Sequence, residues 1–183
     1  MNYRIALRIG LAVLLSAQAA ASVFAAPESG AMAAWQKEDQ IAQQLIDPNP
    51  ASAAEHLTKA LQLLEAEKLD PKDPNLHQLL LYDIGDTIAS LATINKNASV
   101  ALAKSESSTV EKLFGPHSAY AFVAQVQEQS AISGKLDQAK IILMLGQMTP
   151  QAQSEARELQ DLMIKHAFSV VQDKLKSLGA LGK

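Results

Sequence analysis

The chain has 183 residues, 48% hydrophobic and 4% aromatic, with a formal charge of −3 and no cysteine. Without cysteine there are no disulfide staples, thiolate metal sites, cysteine nucleophile or lipid-bearing cysteine behind a signal sequence. Much Ala, Leu, Gln, Lys and Glu, set against few aromatics, glycines and prolines, favours helix almost everywhere. No stretch shows the period-two alternation of a sheet, so the expected fold class is all-α.

The N-terminus reads as an export signal. Arg4 and Arg8 are followed by an apolar run from Ile9 to Leu15 and an alanine-rich stretch leading to Val23-Phe24-Ala25-Ala26-Pro27. Signal peptidases require small residues at the cut and reject proline directly after it, so cleavage is expected after Ala25, giving a signal peptide over 1–25 and a periplasmic or secreted protein. An uncleaved anchor would need about 20 strongly apolar residues, and Ser16, Gln18 and Ser22 interrupt this run. No stable membrane insertion is expected after cleavage. The remainder carries thirteen lysines, one arginine (Arg157) and nineteen acids, a net charge of −5. That balance excludes nucleic acid and anionic membrane as natural partners.

Prolines and glycines then divide the chain into about seven predicted helices. They cover Met32 to Ile46, Ala51 to Lys68, Asn75 to Ile94, Ala98 to Phe114, Ser118 to Ser133, Leu136 to Met148, and Pro150 to about Leu178. The pieces between are Asp47-Pro48-Asn49-Pro50, Asp70-Pro71-Lys72-Asp73-Pro74, Asn95-Lys96-Asn97, Gly115-Pro116 and Gly134-Lys135. The fifth and sixth helices form a predicted hairpin: Ala139 and Gly146 would let a partner backbone approach, with Leu143 filling the space between. This small-large-small face recurs as Ala98, Leu102 and Ser105, and as Ala53, Leu57 and Ala60, at spacings of 41 and 45 residues. Each set falls on the second helix of a pair, the pattern of a helical array. An irregular bundle with ordinary alanine contacts would also produce it.

The stretch Val110-Glu111-Lys112-Leu113-Phe114-Gly115-Pro116-His117, continuing through Gly134, Leu136, Ala139 and Leu143, resembles a tetratricopeptide repeat, in particular the kinesin-light-chain variety. Gly134, Ala139, Leu143 and Gly146 match that family's corner glycine and its small, large and small positions, and Leu69-Asp70-Pro71 resembles its repeat-ending Leu-Asp-Pro. The loop after Gly115 is about two residues shorter than the family's, Val123 to Gln127 departs from its Leu-Asn-Asn-Leu-Ala, and the two earlier pairs lack the corner glycine. The resemblance implies a short solenoid of about three helix pairs over residues 26–149, capped by a C-terminal helix within 150–183, and a concave face that binds protein rather than performing catalysis. In that register the groove residues are Asp83, Thr87 and Ser90 with Ala124, Glu128 and Ala131, a small, mildly acidic face suited to a peptide or a basic segment.

In the last helix Ile164, Phe168, Val171, Leu175 and Leu178 step by four and three to form an apolar stripe, widened by Leu159, Met163, Ala167 and Val170. A stripe of this kind caps an array or docks a second copy, so a homodimer through this helix stays open. Chemistry is sparse. His56, His77, His117 and His166 include no i,i+4 pair, and there is no nucleophile elbow or phosphate loop. Neighbours such as Glu55 and His56, or Asp161 and His166, do not form a catalytic constellation. The Asp70 to Pro74 segment lacks the ligands of a calcium loop. The expectation is no enzyme activity, no cofactor and no metal. Trp35, the single tryptophan, is expected in the core rather than as a surface anchor. The function expected is that of a non-catalytic envelope adaptor binding a protein or peptide. The alternative is a bundle holding an apolar small molecule in its interior.

Overall fold

A computed structural model describes residues 32–177. The expected signal peptide and its cleavage site, and the tail from Leu178 onward, lie outside the described residues. Within them the chain is all-α, with seven helices and no strand. These are α1 (Ala34–Gln43), α2 (Pro50–Leu64), α3 (residues 74–94), α4 (Lys96–Phe114), α5 (Ala119–Ser133), α6 (Gln138–Gln147) and α7 (Pro150–Ser177).

The ends follow local chemistry. The Asn49, Asp73, Asn95, Ser118 and Asp137 side chains each accept a backbone N–H of the first turn that follows, and Thr149 Oγ1 accepts that of Ala152 at 3.2 Å. Pro50, Pro74 and Pro150 occupy first-turn positions, where a missing amide costs nothing. α4 stops at Gly115 and α5 at Gly134, at φ +87° and +66°, a left-handed backbone that glycine adopts without strain.

α3 carries an irregularity that the sequence did not announce. Between regular turns at Pro74–His77 and Ile84–Ile94, residues Gln78–Asp83 form a π-helical segment in which the Ile84 amide donates to the Leu79 carbonyl, five residues back. Leu79, Leu80 and Leu81 are consecutive, and all three are buried. A helix apolar on every side belongs at the centre of a bundle. α3 occupies that place, touching α1, α2, α4, α5 and α7.

The core is built from Leu57, Leu61 and Leu64 of α2, the α3 leucines with Ile84 and Leu91, and Leu102 and Val110 of α4, all essentially inaccessible. Trp35 packs into it from α1, as expected. α1 packs on α2, α3 on α4, and α4 on α5. The expected third hairpin differs. α6 contributes no buried residue and touches α5 only slightly, while α7 turns back and covers α5 instead. Ala156 and Leu159 of α7 are buried, with Ala152, Leu162 and Met163 packed against the core. Ala139, Leu143 and Gly146 therefore do not seat a neighbouring backbone. All three are exposed, and a Cβ built on Gly146 meets nothing within 4 Å. The equivalent Ala53, Leu57 and Ala60 are fully buried.

Candidate functional site

The groove expected from the sequence is not an open surface. Asp83, Thr87, Ala124 and Ala131 are buried, and Ser90 and Glu128 are half-buried. α1 packs on the π segment, where Gln43 reaches Asp83, and α7 lies across α5 and the same segment, so no concave face stays open here. Thr87 spends its hydroxyl on the Asp83 carbonyl at 2.7 Å, so it is not free to meet a ligand.

What occupies this interior is a carboxyl pair. Asp39 of α1 and Asp83 of the π segment are each 4% exposed, and one amide, Gln43, reaches both carboxyl groups. Gln43 Nε2 donates to both, at 3.3 Å to Asp39 Oδ2 and 2.9 Å to Asp83 Oδ2, and Gln78 Nε2 donates to Asp83 Oδ1 at 2.9 Å. Asp39 Oδ1 is buried with no protein partner. Burial, then the neighbouring Asp83, push Asp39 up to about 9. Burial pushes Asp83 up to about 6 against the lowering effect of its hydrogen bonds. Two carboxyl groups this close inside a protein hold a proton between them near neutral pH.

A second buried acid, Glu106 of α4, has an unpartnered Oε2 and is held well above the ordinary carboxylate range by burial and then by the field of Glu128. Gln127 of α5 is buried with both amide atoms unpartnered, and its side chain lies against Gly85, where a Cβ would stand 3.6 Å from its Nε2.

The histidines have structural partners that sequence neighbours did not suggest. His56 pairs with Glu38 of α1 at 2.7 Å, not with Glu55, and Glu38 is held below the usual range by Lys59 and then His56. His166 pairs with Asp86 of α3 at 3.0 Å, not with Asp161, and stacks on Tyr82 at 4.2 Å, which ties α7 to α3. His77 donates to the Pro71 carbonyl, which Tyr120 also engages at 2.7 Å, fastening the loop before α3. Among the described residues there is no cluster of three or more metal-ligating side chains, and no helix is long and apolar enough to cross a membrane.

The outer surface has a different character. On α6, Ala139, Ile142, Leu143 and Gly146 stand at the spacing of one helix face and all point to solvent, with Ile142 69% and Leu143 63% exposed. On the second half of α7, Ile164, Phe168 and Leu175 are exposed, Phe168 to 57%. Ile132, at the end of α5, adds another apolar side chain. Clustered exposed apolar side chains of this size mark interaction surfaces more often than isolated ones do. A shallow cleft between α5 and α6 is lined by Pro116, His117, Phe122, Gln125, Met144 and Met148, among others.

One cue to the α6 face stands in the sequence. Five apolar residues in a row, Ile141 to Leu145, must leave some facing outward from any helix that packs on one side only. No family model matches the chain, and no curated protein or solved structure shows significant similarity to it.

Proposed function

We propose that the chain is a non-catalytic exported adaptor that binds an amphipathic helix of a protein partner in the cell envelope. One observation carries this reading: the outward face of α6, small at Ala139 and Gly146, places two large apolar side chains, Ile142 and Leu143, side by side in solvent at 69% and 63% exposure. Small residues two turns apart with bulky ones between them form a saddle across which a second helix can lie at close range. The positively charged, then apolar, then alanine-rich leader over 1–25 supports the envelope placement. The resemblance of residues 110–146 to a tetratricopeptide repeat supports a protein-binding role in general, and the successive packing of α1, α2, α3 and α4 is compatible with a short solenoid.

The test is co-purification from crosslinked cells of the protein carrying Leu143→Glu. Leu143 is exposed, so the fold is expected to survive. Retention of a discrete partner by the wild-type protein and its loss in the variant would support the docking face. Equal retention by both would refute it. Reversing the charge of Asp83 would not serve, because an ammonium there would be buried.

A further inference from the structure

The Asp39–Asp83 pair lies outside the α6 face and has a consequence of its own. It joins α1 to the π segment of α3 across a sequence separation of 44 residues, inside a region otherwise filled by Trp35, Ala42 and the α2 leucines. The donors around it, Gln43 and Gln78, are neutral amides. The charged groups on the surrounding elements do not neutralise it. Asp86 in the next turn adds negative charge and is itself paired with His166 of α7. Glu38 of α1 is tied to His56 and Lys59 of α2, and the acids of α4 and α5, Glu106 and Glu128, act on each other. Among the described residues no cation pairs with it, so a proton on the pair is what keeps two buried carboxylates from facing each other. Removing that proton leaves two buried carboxylates face to face, bridged only by Gln43.

We propose that this carboxyl pair is a proton-operated latch, which holds α1 and Trp35 against the π segment of α3 and releases them as the pH rises. The direction follows from linkage. Both carboxyls hold a proton more tightly when α1 is docked than when it is free, where the ordinary value of 3.8 applies. Docking therefore takes up protons. The docked state is fully favoured below about pH 4, loses ground as pH rises through about 6, and goes on losing it until about 9. In the upper part of that window, where one proton is involved, the equilibrium for opening α1 rises about tenfold per pH unit.

Trp35 is the only tryptophan and sits on α1, so its emission reports the latch directly. The experiment follows Trp35 emission through a urea titration of the purified protein at several pH values between about 6 and 9, with far-UV circular dichroism recorded in parallel. In the wild type, the Trp35 transition is expected to shift to lower urea as pH rises and to precede the loss of total helix. Asp39→Asn, whose amide can still donate to Asp83 but does not titrate, should remove the shift, and Asp83→Asn provides a second variant should the first fail to fold. His166→Gln, which removes the other ionisable contact to α3, should leave the shift in place. The latch would be overturned by a Trp35 transition that does not move with pH. It would also be overturned by a shift unchanged in both asparagine variants, a shift abolished by His166→Gln, or coincidence of the Trp35 and helix transitions at every pH.

Discussion

At the scale of single residues, the interior is shaped as much by acids as by leucines. Leu57, Leu61 and Leu64 fill α2 with inaccessible apolar volume; of the core, Leu57 within its small-large-small set and Trp35 are legible in the sequence. Asp39, Asp83 and Glu106 were not recognisable as interior groups, because an isolated aspartate or glutamate on a helix reads as a solvated one. What buries them is long-range packing: the partners of Asp83 include Gln43, 40 residues away. Glu106 gives a clean test of its cost. Its folded pKa is raised, so it binds a proton more readily in the native than in the unfolded protein, and its ionisation lowers stability as pH rises above the ordinary 4.5. Glu106→Gln keeps the shape and removes the charge. The melting temperature of the variant should match wild type at about pH 4 and exceed it at about pH 8, by at least about 1 kcal/mol or about 2–4 °C. An equal difference at both pH values would show that Glu106 ionises freely in the fold.

At the scale of helices, local chemistry wrote most boundaries legibly. Asn95, Ser118 and Asp137 cap where side-chain oxygens are available to do so, and Gly115 and Gly134 end helices at positive φ. The π segment of α3 left no such mark, since it arises where three consecutive leucines must all find apolar neighbours. The outward face of α6 departs from the expected hairpin for a related reason. A small-large-small spacing fixes which residues share a face but not which way that face points, and the α2 set turns inward while the α6 set turns outward. Gly146 separates the two cases. With no atom within 4 Å of a Cβ at this position, Gly146→Ala should stabilise the isolated protein by roughly 0.5–1 kcal/mol through helix propensity. Had the glycine seated a neighbouring backbone within the chain, the same change would destabilise. Thermal melting of the variant decides between them.

At the scale of the molecule, the all-α class and the number of helices were readable from composition and punctuation, whereas the closure of the third pair was not. α7 was expected to cap one end. Its first half packs on α5 and the π segment through Ala156 and Leu159, and it is pinned by the His166–Asp86 contact. The expected groove is covered, and α6 with the exposed Ile164, Phe168 and Leu175 of α7 forms part of the apolar outer surface, beside single residues such as Ile94 and Ile132. The surface that remains is where a partner has room to bind. Site-specific photo-crosslinking in living cells tests this most directly, with the probe placed at Ile142 on α6 and, as a control, at exposed Lys59 on α2. The expected result is a single discrete protein adduct from position 142 that is absent from position 59. Adducts of the same protein from Lys59 but not from Ile142 would contradict a docking role for α6 and move the interface to α2.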